Sequence, residues 1–464
     1  MSVARRLGWL DLLLALLVLG AAGGLRGWYL ITFAEGGEAG LHNVWQVQQP
    51  SEPASAEQTV LDRLVANIKE QGPLSGFRAQ APLAAAEEVT GHIAPAYPLF
   101  RAYTEMAAGW VGYAEKPAVV VRWVQVGLGA LTALLYFLLA RHAFASVVVG
   151  LLAGLGTALH PFWVINVAEM QDGVLATFFI ALALYLAVRA GLKAGALTSL
   201  LLGLALALCC LTRGSLMPFS IVVLLWFMWR SRALAPGWLC ALAAFFGFLG
   251  GVSTWLVRDF QELGAPVPVV TTTWWHVWVG NNPQTTGGPA TPEMLALLAD
   301  RQADLAQTPQ AQRYAKLADL VKHEVLEEPS QTLVRRGRAA LYFLFGTKNP
   351  NRNTILDKAG GPEIEPWVKN TLMGVLVGLL PLAILGWRWS YGWKRASAPL
   401  ALAVYWLPLP FLLTHAEHLH GPRLPLDGVL ICLAALAVAC LTPGIGGPLL
   451  RGEDALPPAD PPSE

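Results

Sequence analysis

Two carboxylates stand where they could do chemistry together. Glu169 and Asp172 are three residues apart in the stretch NVAEMQD, residues 166–172, and on a helix they would share one face. Such a pair suits metal coordination or the stabilisation of a cationic group. Asp172 also stands where a helix N-cap belongs, which is the structural alternative. The sequence leaves both interpretations open.

Three arginines form a second group of candidates. Arg213 stands in LTRGS, Arg258 in WLVRD and Arg423 in HGPRLP, each at the end of an apolar run. A guanidinium group matches phosphate oxygens in geometry and charge. The alternative for any one of them is snorkelling or pairing with a nearby carboxylate such as Asp259. Three arginines at one level favour a phosphate partner.

Two further stretches combine aromatic and polar side chains: GHIAPAYPL, residues 91–99, and TTTWWHVWVGNNP, residues 271–283. Their candidate substrate-binding residues are His92, Tyr97, Trp275, His276, Asn281 and Asn282. Aromatic faces beside amides suit a sugar, but tryptophan is also the usual anchor at a membrane interface. A lone histidine such as His92 is more often structural than catalytic.

The elements that must position these residues are apolar. Of 464 residues, 55% are apolar and 14% charged, against about a quarter charged in soluble domains. This excludes an ordinary cytosolic enzyme, and the net charge of +1 gives no reason to expect nucleic acid. The five cysteines lie in apolar runs, where they act as small hydrophobic residues.

Ten runs could cross a bilayer: 7–30, 118–140, 145–161, 172–189, 196–211, 215–229, 236–257, 369–387, 398–414 and 424–443.

The short basic connections set the predicted orientation. Bases at 141, 189, 230, 388 and 451 fall on one side under the ten-helix count, and the positive-inside rule makes that side cytoplasmic. The first run has no convincing cleavage site and is predicted to be a retained signal anchor with a cytoplasmic N-terminus. Residues 196–229 are predicted to be two short helices hinged at 212–214, because a single helix would reverse everything that follows.

Two long polar segments, 31–117 and 258–368, then lie on the outer face. The first has ten acidic and five basic residues. The second begins with β-branched, extended sequence at 266–273, and Pro292 and Pro309 mark helix starts. Residues 313–340 are predicted to form an amphipathic helix against the outer leaflet. The predicted domains are a membrane domain 1–257 that includes loop 31–117, a second outer loop 258–368, C-terminal helices 369–443, and a cytoplasmic tail 444–464, disordered from Asp454.

The order of these motifs resembles the bacterial polytopic glycosyltransferases of the GT-C fold, which are similar to the dolichyl-phosphate-mannose protein mannosyltransferases and the aminoarabinose transferases. The matching stretches are 57–72 (an acid, a helix and a glycine), 92–99 (a PPxYP-like turn), 166–172 (a second acidic motif), 211–215 (a TRP-like corner), 255–283 (through GNNP), 313–340 (an amphipathic helix) and 422–426 (an arginine before the last span). The resemblance implies an all-α polytopic membrane protein of the bacterial inner membrane, with about ten transmembrane helices and two long outer loops.

The resemblance also implies a function. A sugar would pass from a polyprenyl-phosphate donor to a lipid, glycan or protein acceptor of the cell envelope, with Arg213, Arg258 and Arg423 on the donor phosphate. An acid of the first loop would act as base or position the acceptor, in some relatives with a divalent metal. The candidates for the base are, in order, Glu57, Glu38 and Asp62. The chain departs from the family in having no Asp-Glu pair after the first helix and Arg258-Asp259 in place of Arg-Asn.

Two other functions stay open. A non-catalytic sugar- or lipid-binding relative would keep the fold and lose the acidic site. A transporter or flippase would show charges inside its spans and repeated halves. The charges here gather at one face and no repeat is visible, which favours the enzyme.

Overall fold

The protein is helical along almost all of the chain that the structure covers. The computed structural model describes residues 8–35, 56–80, 88–91, 93–193, 195–234, 236–264, 267–287, 292–345, 366–414 and 423–452. Within these ranges the β-structure is one antiparallel pair, β1 (Arg78–Gln80) and β2 (Glu88–Thr90). An all-α fold was predicted, and this short hairpin is the departure from it.

The first ten helices run from the N-terminus to the start of the second polar segment. They are α1 (Trp9–Tyr29), α2 (Ala56–Gln71), α3 (Ala96–Ala108), α4 (Pro117–Ala143), α5 (Val147–Leu159), α6 (Pro161–Ile165), α7 (Gly173–Leu192), α8 (Ala196–Thr212), α9 (Met217–Ser231) and α10 (Gly237–Leu263). A π-helical turn, Leu30–Glu35, extends α1. The break at 212–214 between α8 and α9 stands where the sequence predicts a hinge.

The remaining helices form the second polar segment and the C-terminal part of the bundle. They are α11 (Thr273–Asn281), α12 (Pro292–Ala306), α13 (Gln310–Glu327), α14 (Pro329–Phe345), α15 (Pro366–Ser390), α16 (Lys394–Trp406), α17 (Leu409–Leu413), α18 (Leu424–Leu441) and α19 (Gly446–Arg451). Helix α12 begins at the predicted Pro292, and α13 begins one residue after the predicted Pro309. The short helix α19 lies inside the predicted tail, whose residues from 453 onward are outside the described part.

Several helices have the length and composition of membrane spans, as in a multi-pass membrane protein. Among the described residues these are Trp9–Thr32, Pro117–Ala143, Gly173–Leu192, Gly214–Ser231, Gly237–Leu263 and Ala396–Leu413. The pair 147–159 and 161–168, bent by 56°, makes a seventh if it is one span, and Ala196–Thr212 and Pro425–Leu441 are shorter apolar helices. Each predicted apolar run therefore contains a helix in the structure. Six or seven of these helices have the length and composition of a membrane span, and a count of ten transmembrane helices stays a prediction.

Polar contacts between helix ends show which ends lie together. Arg141 at the end of α4 pairs with Asp11 at the start of α1, with Nε and Oδ1 2.5 Å apart. Arg189 at the end of α7 lies 3.1 Å from the ring of His142. At the other end of the bundle, Arg213 after α8 pairs with Asp172 before α7. The helix directions therefore agree with the predicted alternation, although neither end is thereby assigned to the cytoplasm.

The first polar segment covers one end of the bundle, which we call the roofed end: the N-termini of α4 and α7 and the C-termini of α8 and α10. Val60, Leu64 and Ile68 on α2 form one buried cluster with Leu175 of α7 and Trp255 of α10. The spacing of the α2 residues places them on one helical face. Burial of that face fixes the segment over the site residues.

The second polar segment forms its own small core. Trp278 of α11 packs with Leu305 of α12 and with Leu317 and Val321 of α13. The sequence predicts one amphipathic helix over 313–340 lying on the outer leaflet, and the structure corrects this. Two helices meet at Pro329, where proline interrupts helical hydrogen bonding, and Leu317 and Val321 of α13 are buried against Trp278. Contact of α14 with the outer leaflet stays a prediction, since its Leu333 and Val334 are exposed.

Two smaller predictions also have outcomes. The extended sequence at 266–273 forms no strand in its described part, 267–273: it turns at Val269, which has a φ of 69°, and enters α11 at Thr273. All five cysteines are buried and unpaired, as expected of small hydrophobic residues in helices.

Candidate functional site

The candidate site lies at the roofed end and is organised around Gln125 on α4. The Gln125 side chain is buried, and its amide nitrogen donates to the carbonyls of Val167 and Glu169, both at 2.8 Å. Its amide oxygen accepts from the Tyr97 hydroxyl at 3.1 Å. Gln125 therefore links the roof helix α3 to the acidic stretch 166–172. Neither Gln125 nor its role was anticipated, since an isolated glutamine in an apolar run carries no pattern.

Tyr97 is held as a hydrogen-bond donor by its surroundings. Burial raises the pKa of its phenol well above the usual value; the charges of Asp172 and Glu105 add to this effect, and those of Arg101 and Arg122 oppose it to a smaller extent. A phenol with a raised pKa keeps its proton near neutral pH, so the bond to Gln125 persists.

The Asp172 side chain does not cap α7; it pairs with Arg213. No side-chain capping bond is made at the start of the helix. Instead, two of the three guanidinium nitrogens of Arg213 donate to the carboxylate, with Nε–Oδ2 at 2.9 Å and Nη2–Oδ1 at 2.5 Å. A two-point pair of this kind fixes orientation as well as distance. The side chains of Arg213 and Asp172 are 20% and 29% exposed, so the pair is reachable from the roofed end.

Arg258 occupies a different position, inside the roof. Its guanidinium pairs with Asp259 at 2.9 Å, donates to the Phe77 carbonyl at 2.8 Å, and lies 4.8 Å from the centre of the Trp255 ring. Its side chain is 6% exposed. The predicted alternative, pairing with Asp259, is what the structure contains, and Arg258 anchors the turn that follows α2.

Asp259 lies next to the turn that holds the first segment against the second. Thr271 donates its backbone N–H to the Gly91 carbonyl at 2.8 Å. Gly91 has a φ of 69°, and a side chain there would begin 3.6 Å from Asp259 Oδ2. That oxygen is buried and makes no hydrogen bond. The two polar segments therefore meet directly over the end of α10.

Arg423 is buried at the start of α18. Its Nε donates to Asp427 Oδ1 at 2.5 Å, and its Nη1 donates to the Leu344 carbonyl at the end of α14. The side chains of Arg423 and Asp427 are 5% and 1% exposed. Of the three predicted phosphate-binding arginines, Arg213 is thus the one whose guanidinium is accessible without opening a buried pair.

The first-loop acids have different positions in the structure. Asp62 pairs with Arg101 at 2.6 Å, and Arg101 also binds Glu105 on its own helix. Burial works to lower the pKa of Arg101, but the two carboxylates outweigh it and raise the pKa above the usual value. Asp62 therefore joins α2 to α3. Glu57 lies on α2 with its side chain outside the described part, and Glu38 and His92 are outside the described residues.

The predicted sugar-binding residues of the second segment have structural contacts of their own. Asn281 donates to the carbonyls of Val277 and Leu413, at 2.6 and 2.9 Å, which joins α11 to α17. Asn282 donates to the Val279 carbonyl at 3.1 Å and closes its own helix end. The Trp275 ring lies 5.3 Å from that of Trp278. His276 stands on the same helix and is half-buried.

A divalent metal was expected from the resemblance alone. Among the described residues, no three His, Cys, Asp or Glu side chains stand close enough together to hold one. Glu169 and Asp172 supply two carboxylates and Arg213 already occupies one of them. Metal assistance therefore stays a prediction.

The chain matches no family of known proteins and no curated protein. Among solved structures, the chain is similar to the oligosaccharyltransferase of Archaeoglobus fulgidus in its apo form, with 14% sequence identity and a TM-score of 0.45. The alignment covers 92% of this chain and 50% of that one. The chain thus spans about half the length of that protein.

Proposed function

We propose that the protein is a glycosyltransferase that moves a sugar from a polyprenyl-phosphate donor to a cell-envelope acceptor at the roofed end of the bundle. The observation that carries the proposal is the accessible Arg213–Asp172 pair beneath the first polar segment, three residues along the chain from Glu169, whose carbonyl Gln125 links to Tyr97. A cation and carboxylates at one membrane-edge position suit a phosphate leaving group and an acceptor hydroxyl. The roofed end would then be the outer face of the cytoplasmic membrane.

The proposed reaction is a displacement at the anomeric carbon. The bond from that carbon to the phosphate oxygen breaks, the acceptor oxygen bonds to the carbon, and the acceptor proton passes to a carboxylate. Arg213 stabilises the charge that develops on the departing phosphate. Donor phosphate would have to draw Arg213 away from Asp172, which frees that carboxylate to bind the acceptor. Arg258 and Arg423 act mainly by holding the roof and the end of α14.

The base is proposed among the acids of the first segment, with Glu57 before Glu38 and Asp62. Asp62 ranks last for a geometric reason, since it already accepts from Arg101 at 2.6 Å. Glu169 and Asp172 assist across the site by holding the acceptor. A base must come within about 3 Å of the acceptor oxygen whose proton it takes, so the assignment depends on which of these carboxylates reaches that distance.

Radiolabel transfer in proteoliposomes tests the proposal, with a panel of polyprenyl-phosphate sugars as donors and envelope lipids, glycans and peptides as acceptors. With a donor and an acceptor that the protein uses, amide replacement of the true base lowers turnover about a hundredfold or more and leaves donor binding nearly unchanged. Glu70→Gln is the matched control, because Glu70 is an exposed acid on the same helix as Glu57. The carboxylate mechanism is wrong if Glu35, Glu38, Glu57, Asp62, Glu169 and Asp172 all tolerate the amide.

A further inference from the structure

Helix α3 carries its charges on the side that faces the rest of the roof. Arg101 pairs with Asp62 of α2 at 2.6 Å, and Glu105 pairs with Lys69 of α2 at 3.1 Å. The side chains of Arg101 and Glu105 are 14% and 8% exposed. A helix at a water-exposed surface has its charged residues on the outer side, so the polarity of α3 is reversed.

The outer side of α3 is aromatic and apolar. Tyr103 and Met106 stand three residues apart and Trp110 four residues further, a spacing that places them on one face. Tyr103, Met106 and Tyr113 are about half exposed, and Trp110, in the 3-10 turn Gly109–Val111, is 89% exposed. An exposed apolar surface of this kind marks contact with a partner or with a membrane.

A tight turn joins this surface to α4. Gly112 has a φ of 83°, and the Tyr113 N–H donates to the Ala108 carbonyl at 2.9 Å, which is the Schellman ending of a helix. Helix α4 begins at Pro117 and has the length and composition of a membrane span. Trp110 is therefore held close to the start of a membrane helix.

Two exposed tryptophans near the ends of α1 mark the limits of the bilayer. Nineteen residues separate Trp9 from Trp28, about 28 Å along a helix axis, which is close to the hydrocarbon thickness of about 30 Å. Tryptophan is enriched at both membrane interfaces. Asp11 pairs with Arg141 at the opposite end of the bundle, so Trp28 marks the interface at the roofed end.

Trp123 of α4 lies at the same level as the end of α1. A Cβ on Gly27 would stand 3.3 Å from the Trp123 ring. Pro117 precedes Trp123 by six residues, so α4 begins at most about 9 Å outside this level. Interfacial helices bury their apolar face by about 5–10 Å at the boundary between headgroups and acyl chains. The outer face of α3, next to the start of α4, is within reach of this layer.

We propose that the outer face of α3 and the turn after it, formed by Tyr103, Met106, Trp110 and Tyr113, binds the lipid of the bilayer interface at the roofed end. The aromatic rings lie among the headgroups and the upper acyl chains, where one side of each ring is apolar and its polar edge is wet. Helix α3 then joins the bilayer surface to the bond between Tyr97 and Gln125. The inference does not depend on the glycosyltransferase proposal, since the Arg213–Asp172 pair takes no part.

Fluorescence quenching of the full-length protein in phosphatidylcholine vesicles tests this contact. A bimane label is attached to Trp110→Cys, to Leu131→Cys on the exposed side of the α4 span, and to Ala66→Cys on the exposed side of α2. The native cysteines are buried, and the parent protein gives their background. The quenchers are aqueous iodide and phospholipids with a doxyl group either near the headgroup or near the chain end.

Each label has its own expected pattern. The label at position 110 should be quenched by the doxyl group near the headgroup and be shielded from iodide. The label at position 131 should respond to the doxyl group near the chain end, and the label at position 66 to iodide alone. Iodide quenching at 110 equal to that at 66 would mean that the face meets water. Shielding of 110 from both quenchers would mean that another protein surface covers it. Either result would overturn the proposal.

A charge placed on the face provides a second test. Trp110→Asp, combined with a bimane label on Met106→Cys, should lose the lipid quenching at position 106, because a carboxylate is costly to bring into the interface. Leu74→Asp is the matched control, since Leu74 is an exposed apolar residue in the roof, in the turn after α2, and it should leave that quenching unchanged. Lipid quenching at position 106 that survives Trp110→Asp would also refute the contact. If this variant misfolds, as judged by circular dichroism, the three label positions in the otherwise unchanged protein still decide.

Discussion

Arg213, Arg258 and Arg423 share a residue type and a place at helix ends, yet the structure gives them different surroundings. Arg258 and Arg423 are buried against a carboxylate and backbone carbonyls, and removing either would leave a buried charge and unpaired oxygens. Arg213 keeps part of its guanidinium exposed. A loss of donor binding without a loss of stability is therefore expected at Arg213 and not at the other two.

The first prediction concerns Arg213. Arg213→Ala should weaken binding of a polyprenyl-phosphate donor by about 1.5–3 kcal/mol, the range for hydrogen bonds to charged groups. Arg213→Lys should restore only part of it, because the two-point geometry is lost. Equilibrium binding of the labelled donor in detergent measures this. Arg232→Ala, at the far end of α9, is the control, and donor affinity unchanged in Arg213→Ala would contradict the phosphate role.

The second prediction concerns the Tyr97–Gln125 bond. Tyr97→Phe removes the donor to Gln125 and should lower the free energy of unfolding by about 1 kcal/mol. It should also reduce turnover more than donor binding, since the stretch that carries Glu169 loses its fixed position. Thermal unfolding and transfer kinetics measure the two effects. Tyr103→Phe, half-exposed on the same helix, should change neither, and equal effects in both variants would exclude this role.

At the scale of elements, α14 connects the second polar segment to the bundle. Arg336 donates to the carbonyls of Gly280, Leu412 and Thr414, and Arg335 pairs with Glu328. Helices α11 and α17 each end at these carbonyls, and helix ends leave such groups unpaired. Burial lowers the pKa of Arg336 to about 10, with Arg335 adding to the effect, so Arg336 is still charged near neutral pH.

Arg336→Ala is the third prediction. It leaves several carbonyls without a donor and should lower the free energy of unfolding by about 2–3 kcal/mol. Hydrogen exchange should become faster in α11 and α14 and stay unchanged in α4 and α7. Arg338→Ala, exposed on the same helix, serves as the control. Protection in α11 and α14 that matches the parent protein would rule out this anchoring.

The fourth prediction concerns pH and Glu324 of α13. Burial raises the pKa of its carboxyl, against smaller opposing effects from Trp278 and Arg301. The folded state therefore binds the Glu324 proton more tightly than the unfolded state does. The contribution of this group to the free energy of unfolding falls as the pH rises from the pKa of Glu324 in the unfolded chain to its raised pKa in the folded protein. Glu324→Gln should therefore be more stable than the parent at pH 7 and equal to it at pH 4. Thermal unfolding at the two pH values measures the difference, with Asp319→Asn as the control. A stability advantage of Glu324→Gln that is larger at pH 4 than at pH 7 would contradict the prediction.

At the scale of the whole molecule, the helix directions place every predicted site residue of the described bundle at one end. Asp11–Arg141 and His142–Arg189 mark the opposite end, whose connections are basic. On the positive-inside rule, we propose that the roofed end faces the outside. Ionisable groups inside the bundle, such as Arg26, bind backbone carbonyls at a helix end, which stabilises one arrangement of α1 and α5.

The fifth prediction is the topology. A reporter fused after Arg141 or Arg395 should read cytoplasmic, and one inserted near Ser55 or Thr308 should read external. Cysteine accessibility at the same positions provides an independent measurement. An external signal after Arg141, or a cytoplasmic one near Ser55, would place the candidate site on the wrong side for an envelope acceptor.

The sequence by itself determined the helical class, the positions of the ten apolar runs that form helices, the hinge at 212–214 and the places where α12 and α13 begin. These follow from local rules, since run length, proline and basic flanks act through neighbouring residues. Local pattern also located the acidic stretch and the three arginines at helix ends.

Only the tertiary structure decided which of these residues act together. Asp172 could cap a helix or meet a cation, and the choice depended on where α8 ends, 41 residues away. Residues 313–327 had an amphipathic pattern whether they faced lipid or protein, and the burial of Leu317 and Val321 against Trp278 decided it for α13. Gln125 had no signal in the sequence, because a single polar residue in an apolar run is identified by its partners, and folding is what brings Tyr97 and the 166–172 stretch close to it.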